Sequence, residues 1–194
     1  MRVSRAGRGG ALTELEGAVL GAISLHAPCT PYRVRRVFLD SPSPYWSGSA
    51  GAIYPLIARL RRRGMVRSTR EVSGGGRAAR LYALTPRGRG AFRTWVKPPW
   101  SAAVTGIPAD PLRTRVSFLG TLSAPERARF WDEAIAAVEP DLRRHERERR
   151  AGWHAGERWE AVVAEGALET LRARLAWLSA ARESDRAPRL HPRR

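Results

Sequence analysis

The chain has 194 residues, 35 of them Lys or Arg against 18 Asp or Glu, for a formal net charge of +17. Hydrophobic residues make up 43%, an ordinary share for a folded domain, which argues against a disordered chain. A single cysteine, Cys29, excludes an intramolecular disulfide and any four-cysteine zinc site.

The charge is unevenly placed. Residues 1–97 carry 18 basic and 4 acidic side chains, whereas residues 98–194 carry 17 and 14. A bias toward arginine, which supplies all but one of the basic residues, would spread the excess evenly. The imbalance points instead to an N-terminal domain that binds a polyanion, joined to a nearly neutral second domain. No stretch approaches the roughly 20 apolar residues of a membrane span, and the opening MRVSRAGRGG lacks the apolar run of a signal peptide. With one cysteine, a reducing compartment fits. The expectation is a cytoplasmic, nucleoid-associated protein without a membrane partner.

In chain order, residues 1–10 set Arg2, Arg5 and Arg8 among glycines. They read either as a basic arm on DNA or as an unstructured start. Thr13 with Glu16 three residues on forms a capping box. The helix behind it buries Leu12, Leu15, Val19, Leu20, Ile23 and Leu25 as far as His26. Thr30 and Pro31 open a second helix to Leu39, which buries Val34, Val37 and Phe38 and exposes Arg33, Arg35 and Arg36. After the turn Asp40–Pro44, a third helix is expected from near Ser49, with Ile53, Leu56, Ile57 and Leu60 on one apolar face. Pro55 inside it implies a late start or a distortion; the reading is a start near Ser49 with local distortion. Gly64 stops this helix. Met65–Val72 and Arg80–Leu84 then read as the strands of a hairpin, with Ser73-Gly74-Gly75-Gly76 at its tip. A helix joined directly to a basic hairpin is the arrangement of a winged helix-turn-helix, whose helix enters the major groove.

Thr85-Pro86 starts a further helix to about Val96, with Phe92, Trp95 and Val96 along its apolar edge. Residues 98–110, rich in Ala, Gly and Pro, read as a linker. The C-terminal part looks all-helical: a short helix from Pro111 to Leu122, then a long one capped by Ser123 and Glu126 and reaching Gly152. In the long helix Phe130, Ala134, Val138 and Leu142 form the apolar row, Pro140 implies a bend, and Arg143–Arg150 reads as a solvated run around His145. A last helix, Glu157 to Ala181, spaces Leu168, Leu171, Leu175 and Leu178 like a short coiled-coil seam, extended by Trp159 and Val163. That seam packs either inside one chain or across a dimer. Residues 183–194 read as a disordered tail.

Several segments resemble the PadR family of bacterial transcriptional regulators: LTELEGAVLGAISLHAPCTPYRVRR, SAGAIYPLIARLRRRGMV and GGGRAARLYALTPRGRGAF. The matching words are Ile53-Tyr54-Pro55-Leu56 and Tyr82-Ala83-Leu84-Thr85-Pro86-Arg87-Gly88. The second helix departs from the family's His-Gly-Tyr entry, with Cys29-Thr30-Pro31-Tyr32 in its place. The resemblance covers roughly residues 11–97, and beyond it the layout is similar to longer members with a C-terminal dimerisation domain. It implies a homodimeric repressor that reads a palindromic double-stranded DNA operator and is released by a small aromatic or cationic molecule or a cellular signal. The fold class expected is therefore mainly α with a small β-hairpin wing. It comprises an arm (1–10), a winged helix-turn-helix (11–97), a linker (98–110), a helical dimerisation domain (111–182) and a tail (183–194).

This layout supplies the candidate DNA contacts. Ser47, Ser49 and Tyr54 lie near the start of the recognition helix, and Arg59 with Arg61 to Arg63 near its end. Arg77 and Arg80 flank the wing tip, and Arg33, Arg35 and Arg36 lie on the second helix. Tyr54 reads alternatively as a packing contact, and the helix-end arginines as a solvated terminus. Leu168, Leu171, Leu175 and Leu178 are the dimerisation candidates. Of the seven tryptophans, Trp100 and Trp177 are candidates to stack a planar effector; filling a helical core is the plainer reading. His26, His145, His154 and His191 have no ligand spacing, no catalytic motif occurs, and no cofactor, metal or enzymatic activity is expected. Two other functional classes stay open: a protein–protein interaction module on a winged-helix scaffold, and non-specific architectural DNA binding.

Overall fold

The computed structural model describes residues 11–41, 43–72, 78–152 and 158–187. The chain divides into two compact units, Met1–Pro108 and Ala109–Arg194. The first contains α1 (Glu14–His26), α2 (Pro31–Leu39), α3 (Pro44–Gly48), a 3₁₀ turn (Ser49–Ala52), α4 (Ile53–Arg62), strands β1 (Val66–Val72) and β2 (Ala78–Leu84), α5 (Pro86–Val96) and α6 (Ala102–Thr105).

Side-chain caps set the helix starts. Thr13 Oγ1 accepts the Glu16 N–H at 3.2 Å, and the Glu16 carboxylate accepts the Thr13 N–H at 3.1 Å, so two orphan donors are satisfied reciprocally. Thr30 and Thr85 cap α2 and α5 by accepting the N–H groups of Arg33 and Gly88. Helices α1, α2 and α4 enclose one core with the hairpin. It takes Val19, Leu20 and Ile23 from α1, Val34 and Phe38 from α2, Ile53, Leu56, Ile57 and Leu60 from α4, and Val66, Tyr82 and Leu84 from the hairpin. Two residues expected inside lie outside: Leu25 is 82% exposed and Val37 37%. A nine-residue helix has room for one buried row, and Val34 with Phe38, four apart, fills it.

The helix starts at Ser49 with the local distortion expected of it. Its first turn is 3₁₀, and α-helical bonding begins only at Ile53. Pro55 is then the third α-helical residue, where a backbone N–H has no intrahelical partner to lose. Gly64 ends α4 at φ +69°, a left-handed conformation that glycine adopts without steric cost. The N–H groups of Gly64 and Met65 return to the carbonyls of Arg61 (2.9 Å) and Leu60 (3.0 Å), closing a Schellman motif.

β1 and β2 pair antiparallel with Val66 opposite Leu84 and Val72 opposite Ala78. Cys29 adds a one-residue rung on the other edge of β2, exchanging both backbone hydrogen bonds with Tyr82 at 3.1 and 2.8 Å. The hairpin base is also pinned to the helices. Thr85 donates its hydroxyl to the Gly64 carbonyl at 2.7 Å and its N–H to the Met65 carbonyl at 3.0 Å. α5 approaches so closely here that a Cβ on Gly88 would run into the Met65 carbonyl oxygen.

Glu16 is the one charged side chain buried in this unit's core among the described residues. Its Oε1 accepts from Arg63 Nη1 at 2.8 Å and Arg59 Nε at 3.4 Å, so one carboxylate joins the start of α1 to the end of α4. Burial by itself pushes this carboxyl up. The Thr13 N–H and the Arg63 and Arg59 guanidinium groups outweigh it and hold the group below the ordinary glutamate range.

The second unit holds α7 (Pro111–Val116), a 3₁₀ turn (Leu119–Thr121), α8 (Ala124–Arg150) and α9 (Arg158–Arg186). The Ser123–Glu126 capping box starts α8, which continues through Pro140. α9 returns antiparallel to it, with ion pairs from Arg127–Asp185 at one end to Arg149–Glu165 at the other. Leu119, Trp131, Ala134, Ile135, Val138 and Leu178 form the core. Three expectations need correcting. Residues 183–186 are helical rather than tail, because Asp185 accepts from Arg127 Nε and Trp131 Nε1 at 3.0 and 3.1 Å; residues 188–194 lie outside the described residues. His145 is buried, not solvated, with its Nδ1–H donating to the Asp141 carbonyl at 2.8 Å. Trp159 and Val163 do not extend the leucine row but are 68% and 71% exposed; at about 100° per residue they lie round the helix from it.

Gly88→Ala is expected to destabilise the first unit by about 1–3 kcal/mol in urea unfolding, whereas Gly90→Ala, with nothing within 4 Å of its Cβ, is neutral or stabilising by up to ~1 kcal/mol. The Glu16 carboxyl is lowered from 4.5, so its contribution is full above that pH and is lost as pH falls through the lower folded value. Melting temperature against pH for wild type and Glu16→Gln checks this: the variant is less stable near neutrality, and the gap closes on acidification.

Candidate nucleic-acid interface

The first unit's basic groups are presented by α4, α2 and the hairpin. Burial of Ile53, Leu56, Ile57 and Leu60, each at most 2% exposed, orients α4 about its axis. The opposite side then carries Tyr54, 49% exposed, together with the exposed Arg61 and Arg62. Seven residues apart, Tyr54 and Arg61 lie within about 20° of one another around the helix. Tyr54 therefore presents about half of its surface to solvent. Arg61 and Arg62 have no ion-pair partner among the described residues.

The other expected contacts divide by what they already touch. Arg59, expected at DNA, is drawn with Arg63 to Glu16. Ser47 and Ser49 are half-buried, and Ser49 spends its hydroxyl hydrogen on the Tyr45 carbonyl at 2.8 Å. On α2, Arg33 is exposed, Arg35 is half-buried, and Arg36 pairs with Asp40 at 3.0 Å. In the hairpin Arg80 is exposed, and the register sets it opposite Arg70, so two basic residues share one rung of the ladder. Arg67, also exposed on β1, lies three rungs from that pair and so on the opposite face of the ribbon, and its alternation with the buried Val66 is the signal that would have marked it. Arg77 and the glycine tip lie outside the described residues. Glu16 was legible only as a cap: nothing local announces a partner 43 and 47 residues away.

The other residues that the sequence singles out lie on other elements. Cys29 is buried; burial pushes its thiol up, against the lowering effect of Arg33, which keeps it protonated and unreactive. Trp100 is 54% exposed and donates its Nε1–H to the Val96 carbonyl at 3.2 Å. Trp177 belongs to the other unit, half-buried against its core. Leu168 and Leu178 are no more than 1% exposed within that unit, whereas Leu171 and Leu175 are partly buried against its core. A cavity of about 260 Å³ lies between the end of α8 and the first half of α9, lined by His145, Arg149, Ala161, Glu165 and Leu168 among others. Among the described residues no helix is long and apolar enough to cross a membrane, and no cluster of three or more His, Cys, Asp or Glu is placed to hold a metal ion.

Comparisons with known proteins agree with this geometry. Residues 19–94 match the model of the transcriptional regulator PadR-like family. No curated protein matches the chain. Bacillus subtilis PadR, solved in complex with operator DNA, is similar at a TM-score of 0.75 and 18% identity, over 88% of this chain and 98% of that one. The same protein in complex with p-coumaric acid gives 0.70 and 17%, over 90% and 96%. The PadR-like transcriptional regulator BC1756 from Bacillus cereus gives 0.67 and 19%, over 92% and 99%. At these identities the structures establish a shared fold, mainly helical with a two-stranded wing. The match to the transcriptional regulator PadR-like family covers residues 19–94, all within the N-terminal unit, and it is this unit that is similar to the family.

Proposed function

We propose that this chain is a sequence-specific DNA-binding transcriptional regulator, a homodimeric repressor of a palindromic operator that a small planar molecule or another cellular signal releases. The observation that carries the reading is the outward side of α4: Tyr54, Arg61 and Arg62 stand exposed opposite a fully buried row, beside a hairpin that exposes Arg67 and Arg80. A helix of this kind reads base edges in the major groove, and the hairpin arginines, Arg77 included, contact the neighbouring backbone. Arg33, Arg35 and Arg36 on α2, with the Ser47 hydroxyl ahead of α4, position phosphates, and Ser49, its hydroxyl held by the Tyr45 carbonyl, shapes the turn between them. Support comes from Bacillus subtilis PadR, a neighbour of the same fold solved with operator DNA and with p-coumaric acid.

In this proposal residues 98–110 link the DNA-binding unit to a helical dimerisation unit. With Leu168 and Leu178 already buried in the monomer, the groups left for a second chain are the partly buried Leu171 and Leu175 together with Trp159, Val162 and Val163, each of these three more than half exposed on α9. The indoles of Trp100 and Trp177 are the aromatic contacts offered to a planar effector. The protein works in the cytoplasm at the nucleoid and needs no cofactor and no catalytic group. An interaction module on the same scaffold would have no use for a net +14 in its first 97 residues.

The test is binding of the purified chain to the DNA upstream of its own gene and to a shuffled duplex of equal length, at two salt concentrations. A preference of ~10³ or more for the natural duplex, surviving the higher salt, is the expected result. Equal and steeply salt-dependent binding to both would leave only architectural DNA binding.

A further inference from the structure

The last turns of α4 carry four arginines in five positions: Arg59, Arg61, Arg62 and Arg63. A helix end of that kind, free in solvent, would bind phosphates wherever it met them, because backbone neutralisation is independent of sequence. The four are not equivalent here. Arg59 and Arg63, four apart and so on one side of the helix, both reach Glu16. Arg61, on the Tyr54 side, and Arg62 are exposed without an ion-pair partner among the described residues, whereas Arg59 (52% exposed) and Arg63 (31%) are tied to the buried carboxylate.

The carboxylate that holds them has little freedom. Its side chain is 6% exposed, one oxygen accepts the Thr13 N–H, and the other takes both guanidinium groups. Arg63 in turn is the residue on which α4 stops, immediately before the Gly64 turn. Thus a charge fixed in α1 anchors the C-terminal end of α4, while the apolar row fixes its rotation.

We propose that Glu16 is a positioning residue for sequence discrimination: it withholds Arg59 and Arg63 from phosphates and fixes the depth at which Tyr54, Arg61 and Arg62 meet base edges. This rests on the DNA-binding reading of α4. Two positive charges are thereby removed from sequence-independent attraction, and the exposed pair is held in one geometry. Affinity for any DNA falls, and the ratio of correct to incorrect sequence rises.

The experiment uses the full chain, a duplex that the wild type selects from a random pool, and a scrambled duplex of the same length and composition, each titrated over a series of salt concentrations. Glu16→Gln keeps an amide oxygen for the Thr13 N–H and removes the charge. The expected result is tighter binding to the scrambled duplex, a salt slope steeper by about 1–2 as Arg59 and Arg63 each engage a phosphate, and a selected-to-scrambled ratio at least ~10-fold smaller. A merely structural role would lower the melting temperature and leave slope and ratio unchanged, and that outcome overturns the proposal. Arg63→Gln supplies the answer if Glu16→Gln fails to fold. Its slope stays at the wild-type value while the ratio falls; a slope flattened by about 1 would identify Arg63 as a phosphate contact and overturn the proposal as well. If the wild type selects nothing from the pool, the DNA-binding reading itself has failed, which is distinguishable from both.

Discussion

Four side chains on one side of α4, Ile53, Leu56, Ile57 and Leu60, are the constraint on which the rest of the first unit depends. Each is at most 2% exposed, in a core shared with α1, α2 and the hairpin. Burying such a side chain contributes about 1.5–3 kcal/mol, so rotating α4 to hide its arginines instead would forfeit most of the unit's marginal stability. What α4 shows to solvent is therefore fixed by what it hides. Tyr54, Arg61 and Arg62 are held outward by the apolar packing behind them.

Polar links then fix the helix along its axis. The 3₁₀ turn at Ser49–Ala52 delays the α-helix until Pro55 falls within its first turn. At the other end Gly64 reverses the chain, Thr85 ties the start of α5 to that reversal, and Glu16 ties Arg59 and Arg63 to α1. The hairpin must leave α4 at one angle because Gly88 brings α5 against the Met65 carbonyl with no room for a side chain. Wing and helix are thus presented as one surface. A reader of DNA needs that, since base contacts discriminate only when the backbone contacts hold the register.

Much of this was legible from residues alone, where the governing interaction is local. Thr13 with Glu16, Thr30 with Pro31, Ser123 with Glu126 and the Gly64 stop each announce themselves within four positions, and the apolar row of α4 recurs at helical spacing. The unread features are long-range. Glu16 completes its cap locally, so its pairing across 43 and 47 residues leaves no trace in spacing. Asp185 extends α9 because Arg127 and Trp131 lie opposite it, although its neighbourhood reads as a polar tail. His145 sits in a charged run yet is buried, since the face of α8 it occupies is covered by tertiary packing. The leucine seam was visible, but periodicity does not say what covers it; Leu168 and Leu178 are buried within the chain itself.

Under the proposed function, two copies of α4 enter successive turns of one major groove. Hydroxyl-radical footprinting of the full chain on a duplex it selects from a random pool tests that arrangement most directly. The expected result is two protected patches related by two-fold symmetry and centred about one helical turn, ~34 Å, apart, with a palindromic sequence beneath them. A single patch without symmetry, or protection spread evenly along the duplex, would contradict it.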